Sequence, residues 1–89
     1  MIRLFVRHNV ADYGKWRAAY DDFDDERRSM GVVADEVYRS VSDGNDVTIY
    51  HDFQTLNAAQ SFANSDRLRE VMGKAGVAGQ PEIWFVENA

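Results

Sequence analysis

The first residues of the chain alternate between apolar and polar side chains. Residues two apart share one face of a β-strand, so this alternation predicts a strand over residues 2–9. One side of the predicted strand carries Ile2, Leu4, Val6 and His8. We expect that side to face a hydrophobic core.

A helical pattern follows the first strand. Asp12 is a suitable N-cap, and apolar residues then recur every three or four positions, the spacing of one buried helix stripe. The pattern continues through about Met30, and Gly31 supplies a stop. The stripe consists of Tyr13, Trp16, Tyr20, Phe23 and Met30, with Arg27 interrupting it near its end. We therefore expect a single helix between Asp12 and Gly31.

The rest of the chain predicts three more strands and two shorter helices. Thr55 and Ser65 are the expected N-caps of the helices, the first over residues 56–64 and the second carrying Leu68, Val71 and Met72. A turn rich in Gly, Asn and Asp lies between the second and third strands, and a loop with three glycines precedes the last strand. The strands are expected at 32–41, 47–53 and 82–87, the turn at 42–46 and the glycine-containing loop at 73–81.

The predicted order is β-α-β-β-α-β, the ferredoxin-like arrangement of α+β proteins. It predicts one domain over residues 1–89, with a four-stranded antiparallel sheet that carries its helices on one face. We expect strands one and three to be central neighbours that run parallel. Their carboxyl ends, and the starts of the first two helices, would then lie at the same end of the sheet.

The two histidines of the chain, His8 and His51, close the apolar sides of the first and third strands. With those strands parallel, both imidazoles would meet at one end of the sheet, beside Tyr13, Trp16 and two helix N-termini that favour anions. A histidine titrates near neutral pH, so the pair is a candidate general base and orienting donor. The alternative is two packed histidines bonded to backbone carbonyls. We expect no metal site, because such sites usually need three or more protein ligands.

The other face of the predicted sheet is too aromatic to be left in water and too charged for a dry core. Aromatic and arginine side chains are enriched at subunit interfaces, so this face predicts a homodimer that pairs through its sheets. Tyr50 belongs to this face and is a candidate for the interface or for contact with substrate. The face carries Arg3, Phe5, Arg7, Glu36, Tyr38, Thr48, Tyr50, Asp52, Glu82, Trp84 and Val86. Arg3 and Arg7 are expected to pair with Glu36 and Glu82.

Composition narrows the classes of protein. A chain of 89 residues has a small core, which also favours a subunit interface. Its net charge of −5 argues against nucleic-acid binding, and no stretch is apolar enough to span a membrane or to act as a signal peptide. With no cysteine, disulfides and thiolate catalysis are excluded. We expect a cytoplasmic protein.

The chain resembles the dimeric α+β barrel superfamily, which includes antibiotic-biosynthesis-monooxygenase-like and stress-responsive small proteins. The similar parts are the first strand leading into Tyr13 and Trp16, the run Phe62, Ser65, Leu68 and Met72, and the segment Ala75-Gly76-Val77 with Gly79 and Pro81. The resemblance implies that two protomers pair through their sheets into a barrel. It also implies a pocket between sheet and helices for quinol-type polyketides, lactones, haem or small aldehydes.

Three positions depart from the pattern of the oxygenases and haem-degrading enzymes in this group. Asn9 lies near their strand-one Asn but on the face opposite His8. Strand three offers Tyr50 and His51 where those enzymes carry Trp, and the helix after Ser65 has no histidine to bind haem. These departures count against haem degradation.

Our preferred interpretation is a small enzyme that needs no cofactor and acts on a hydrophobic aromatic or enolisable molecule, as a monooxygenase, cyclase or isomerase. His51 and His8 would serve as base and orienting donor, with Tyr13 and Trp16 as apolar walls. One alternative is a homodimer that binds a small molecule without catalysis or takes part in a stress response. Another is a structural homodimer whose space between His8, His51 and Trp16 is filled by side chains.

Overall fold

The computed structural model describes all of residues 1–89 and contains four strands and four helices. The strands form one sheet in the order β2-β3-β1-β4, and every neighbouring pair is antiparallel. The helices cover one face of this sheet, which confirms the expected ferredoxin-like α+β class. The elements are β1 (Ile2–Val10), α1 (Tyr13–Asp22), α2 (Asp24–Ser29), β2 (Ala34–Arg39), β3 (Asp46–Phe53), α3 (Leu56–Ala63), α4 (Asp66–Lys74) and β4 (Val77–Glu87).

The expected parallel pairing of the first and third strands is wrong. Leu4 lies opposite His51 and His8 lies opposite Val47, so β1 and β3 run in opposite directions. The helical crossover brings β2 back in the same direction as β1, and β3 then inserts between these two strands, antiparallel to both. The carboxyl ends of β1 and β3, and therefore the starts of α1 and α3, lie at opposite ends of the sheet.

The long helix expected between Asp12 and Gly31 is divided in two. Asp12 caps it as predicted, because its side chain accepts a hydrogen bond from the Lys15 amide. At Phe23 the backbone leaves the helical conformation, and α2 begins with three acidic residues, which suit a helix N-terminus. Phe23, at the break, and Arg27, on α2, are both buried. Gly31 ends this segment with a positive φ, as expected.

Most of the segment expected to be a glycine-containing loop belongs to α4 and β4. Ser65 caps α4 and Thr55 caps α3, both as predicted. The last strand begins at Val77, five residues earlier than expected. Arg7 pairs with Glu82 and Asn9 with Ala78, so three residues of β4 lie opposite His8 in a β-bulge. Gly79, with a φ of 72°, and Pro81, which lacks an N–H, are both suited to this irregular pairing.

The core between sheet and helices consists of two clusters of buried side chains. The first lies under α3 and centres on Leu4, Phe53 and Phe62. The second lies under α1 and centres on Trp16, Val47 and Ile49. These clusters meet along the centre of the sheet, where His51 contacts Phe62 on one side and Tyr20 on the other.

Candidate functional site

His8 and His51 are both buried on the helix-covered face, 6% and 5% exposed, as their strand positions predict. They do not meet. Their register places them four residues apart along the central strand pair, or about 14 Å at the rise of an antiparallel strand. The expectation that the imidazoles touch at one end of the sheet is wrong, because it depended on a parallel pairing of β1 and β3.

A row of aromatic rings from α1 links the two histidines. The His8 ring lies edge-on to Trp16 at 5.7 Å between ring centroids. Trp16 stacks on Tyr20 at 4.9 Å, and Tyr20 approaches His51 at 6.0 Å. Helix α1 can span the distance because its residues 16 and 20, one turn apart, both point at the sheet. His8 and His51 therefore lie at the two ends of one row of aromatic rings.

A small apolar cavity of about 50 Å³ lies beside this row. Its wall includes both histidines and residues from both core clusters, so it lies at the seam between them. The lining residues are Val6, His8, Trp16, Tyr20, Phe23, Arg27, Ile49, His51, Phe62, Leu68, Val71, Met72 and Ala75. At this volume the cavity is smaller than the few hundred Å³ that a ligand pocket usually has.

Helix α4 forms the outer wall of the cavity and is the least buried helix over the sheet. None of its residues is fully buried, and Leu68, Val71 and Met72 are only half-buried. A second space, a groove of about 390 Å³ between α4 and β4, shares Val6, Leu68 and Met72 with the cavity. Leu68 and Met72 line both spaces, so joining the cavity to the groove requires these two side chains to move.

Both histidines are neutral at pH 7. Burial lowers the pKa of His8 from 6.5 to about 4. Burial, followed by the positive charge of Arg27, lowers the pKa of His51 to about 4 as well. Both ring nitrogens of His8, and Nδ1 of His51, are buried without a hydrogen-bond partner in the protein. An unpartnered buried polar group costs about 1–3 kcal/mol, so a ligand that bonds to one of these nitrogens would recover that cost.

The sequence-based reasoning missed a charged cluster beside His51. The Tyr20 hydroxyl donates to Asp35 Oδ2 at 2.5 Å, Arg27 donates to the same oxygen at 2.7 Å, and Arg28 binds the other oxygen. Burial alone would raise the pKa of Asp35, but the hydrogen bonds from Tyr20 and Arg27 lower it to about 2. Burial raises the pKa of the Tyr20 phenol above its ordinary 10. The sequence did contain a signal for this cluster: Arg27 lies on the buried stripe of a helix, and a buried arginine needs an acid nearby.

The other predicted site residues divide between two faces of the sheet. Trp16 lines the cavity. Tyr13 lies beside it, 5.9 Å from Trp16 between ring centroids, with the Arg39 guanidinium over its ring. Tyr50 lies on the opposite face, under Arg3 at 3.7 Å, and has no access to the cavity. Of the candidate substrate contacts, only Trp16 directly forms the cavity wall.

No group of three or more His, Cys, Asp or Glu side chains is arranged to hold a metal ion. None of the helices combines the length and apolar character needed to cross a membrane.

The fold is similar to that of several solved structures. A protein of Bordetella bronchiseptica described as an antibiotic biosynthesis monooxygenase superimposes with a TM-score of 0.84 at 15% identity, over 99% of this chain and 96% of that one. A Caulobacter crescentus protein with the same description gives 0.77 at 14% identity, over 99% and 89%. A variant of SnoaB, a cofactor-independent oxygenase from Streptomyces nogalater, gives 0.77 at 10% identity, over 98% and 91%. The chain has the antibiotic biosynthesis monooxygenase fold.

No protein-family model and no curated protein matches the sequence. The antibiotic biosynthesis monooxygenase fold nevertheless covers nearly the whole chain, which confirms the resemblance inferred from sequence at the level of fold. Because a fold hosts many activities, the activity has to be argued from the residues of the site.

Proposed function

We propose that the chain is an enzyme that acts, without a cofactor, on a hydrophobic aromatic or enolisable small molecule bound between the sheet and the helices. The observation that carries this proposal is the pair of neutral imidazoles with unpartnered nitrogens in the wall of one apolar cavity. A neutral imidazole accepts a proton, and the apolar surrounding, once the cavity opens into the groove between α4 and β4, holds an aromatic substrate while excluding water.

The reaction begins when an imidazole nitrogen takes a proton from a phenol, or from a carbon next to a carbonyl. His51 is the proposed base, because its Nδ1 has no partner and its Nε2 faces the Tyr20 hydroxyl, which is bonded to the ionised Asp35. The negative charge of Asp35 favours the imidazolium that forms and offsets part of the larger opposing effect of Arg27. His8, at the other end of the aromatic row, is the proposed orienting donor. The resulting phenolate or enolate then rearranges, cyclises or reacts with dioxygen. Similarity in fold to a cofactor-independent oxygenase supports the last of these.

The proposed assembly is a homodimer that pairs through the face of the sheet opposite the helices. On that face one aromatic residue from each strand forms a continuous row, with Phe5 stacked on Trp84 at 5.2 Å and Tyr50 between Phe5 and Tyr38. Trp84 and Tyr38 are 40% and 54% exposed in the single chain. Association with a second copy removes these rings from water, which the hydrophobic effect favours.

The test is turnover of an anthrone, a hydroquinone and a β-diketone, followed by oxygen uptake, ultraviolet absorption and mass spectrometry of the product. The wild-type protein is expected to convert at least one of them. His51→Ala is expected to lower kcat by about a hundredfold or more, the usual contribution of a general base.

Gln60→Ala is the control, because Gln60 lies on the exposed side of α3, outside the cavity wall, and is expected to leave turnover unchanged. Full activity in the His51→Ala variant would contradict the role of His51. Binding of a compound in the cavity with no conversion would instead favour a binding protein. Failure to bind any of the three would favour two packed histidines in a structural dimer.

A further inference from the structure

The Tyr20 hydroxyl lies between an acid and the candidate base. Its oxygen is 2.5 Å from Asp35 Oδ2 and 3.5 Å from His51 Nε2. The second distance is at the outer limit of a hydrogen bond, and such contacts in unliganded sites often tighten when the substrate binds. The three groups form one line from a polar groove between β2 and the first two helices, lined by Asp21, Asp24 and Arg28 among others, to the apolar cavity.

The direction of each hydrogen bond in this line follows from counting protons. A tyrosine hydroxyl has one proton to donate. Asp35 is ionised at neutral pH, with its pKa lowered to about 2, so it accepts only, and the short contact shows that Tyr20 donates to it. The Tyr20 oxygen can then only accept from His51. Nε2 of the neutral His51 ring must therefore carry the proton.

We propose that Tyr20 and Asp35 are positioning residues that hold His51 as the Nε2–H tautomer and so leave Nδ1 unprotonated as the base. Nδ1 is the His51 nitrogen that is buried without a partner. The tautomer follows from the hydrogen-bond geometry and from the negative charge that Arg27 and Arg28 maintain on Asp35, and only the use of Nδ1 as a base rests on the proposed function. The arrangement is the common one in which an acid orients a catalytic imidazole through its second nitrogen, here with a tyrosine hydroxyl between them.

Two arginines hold the acid in place for this role. Arg27 is 2% exposed, donates to Asp35 at 2.7 Å and lies over the Tyr20 ring at 3.8 Å. Arg28 binds the other Asp35 oxygen. Asp35 is therefore kept ionised, and its oxygen faces the Tyr20 hydroxyl in a fixed geometry. His8 has no comparable partner at either nitrogen, so no group selects its tautomer.

The experiment is ¹⁵N NMR of the two imidazole rings at pH 7, where both are neutral. The nitrogen shifts and their couplings to the ring protons report which nitrogen is protonated. We expect His51 to be almost entirely the Nε2–H tautomer and His8 to show the unassisted mixture. In Tyr20→Phe, which keeps the ring but removes the oxygen, the Nδ1–H fraction of His51 is expected to rise to that of His8.

Tyr13→Phe is the matched control, because Tyr13 contacts Trp16 but does not contact His51 in the aromatic row. Asp35→Asn is the second variant, in which the neutral amide no longer dictates the direction of the Tyr20 hydroxyl. The proposal is overturned if wild-type His51 is mainly Nδ1–H, or if its ratio is the same in Tyr20→Phe as in the wild type. The wild-type spectrum needs no variant, and turnover assays test the proposed function separately.

Discussion

The two faces of the sheet use the same kinds of side chain in opposite ways. Each face has a row of aromatic rings and at least one Arg–Asp pair. On the helix side the rings link His8 to His51, and Arg27 is buried against Asp35. On the open side the rings run across all four strands, and Arg3 and Arg7 remain 42% and 51% exposed beside Asp52 and Asp46.

The two faces differ in how much contact with water their side chains have lost. The helix face has already lost its solvent, so an unmatched charge or an unpartnered imidazole there carries a large energetic cost. The open face is still solvated in the single chain, and its pairs gain little until a second copy covers them. The helix face therefore provides the dry surroundings that the proposed chemistry needs, and the open face provides the surface for the proposed association.

The largest effect is expected from a charge placed at the centre of the open face, which tests whether that face associates with a second copy. Phe5 lies in the middle of the aromatic row, in contact with Trp84 and Tyr50. If this face pairs with a second copy, Phe5→Glu buries an unpaired carboxylate and is expected to weaken the dimer by about 4 kcal/mol, roughly a thousandfold in Kd. Sedimentation velocity over a concentration series measures the change.

Gln60→Glu adds the same charge on the exposed side of α3 and is the control. It is expected to leave the dimer intact, and circular dichroism should show both variants folded. A wild-type chain that sediments as a monomer at micromolar concentration would contradict the assignment of the open face.

The next test compares the acids of the two faces. Asp35→Ala strands Arg27, whose side chain is only 3% exposed, without its main counter-charge. The expected loss is about 3 kcal/mol in the free energy of unfolding, the lower end for a broken buried pair because Arg27 keeps a second acid, Asp24, at 3.2 Å. Asp46→Ala leaves Arg7 half in solvent and is expected to cost much less. Urea unfolding measures both.

Arg27→Met tests the other partner of the buried ion pair. It removes the buried charge rather than its partner, and Asp35 keeps Arg28, so the loss is expected to be smaller than that of Asp35→Ala. Equal losses of stability in Asp35→Ala and Asp46→Ala would show that an arginine left without its acid costs the same on both faces.

The buried histidines predict a third effect, on stability as a function of pH. Their folded pKa of about 4 lies below the ordinary 6.5, so the unfolded chain binds more protons between these values. Their stabilising contribution is present above pH 6.5 and is lost as the pH falls towards 4. Between pH 7 and pH 5 the free energy of unfolding should fall by about 2 kcal/mol per histidine.

Urea unfolding at pH 7, 6 and 5 measures this slope. His8→Gln and His51→Gln should each remove about half of this pH dependence, because the two histidines have similar folded pKa values. Asp35 does not contribute to it, since its pKa is lowered to about 2 and affects stability only below this range. A flat profile in the wild-type protein would mean that the histidines are solvated, and would remove the basis for a dry site.

Strand alternation was sufficient to predict which face each histidine occupies, because the period of two depends only on local geometry. It could not predict their separation, which depends on whether β1 and β3 run parallel, and that is set by the order of strands in the whole sheet. The ion pairs show the same limit. Arg3 and Arg7 were expected beside Glu36 and Glu82. Arg3 instead binds Asp52, which lies opposite it on β3. Glu82 does lie opposite Arg7 on β4, but the Arg7 side chain binds Asp46, which is diagonal to it on β3. Likewise, Asp35 was visible only as one polar residue on a mixed strand.

The smallest expected effect distinguishes two helices over the same face. Thr55 caps α3 and Ser65 caps α4, each by accepting a hydrogen bond from a backbone amide at 3.2 Å. Losing either cap costs about 1 kcal/mol, or fivefold in an opening equilibrium. Because α3 buries Ala59 and Phe62 while α4 buries no residue fully, Thr55→Ala should lower global stability, whereas Ser65→Ala should speed hydrogen exchange in α4 alone. If α4 is the wall that moves to admit a ligand, Ser65→Ala should also speed binding in the cavity. Uniform faster exchange across the whole chain in Ser65→Ala would show instead that α4 opens only with the rest of the fold, and that the cavity stays at its present size.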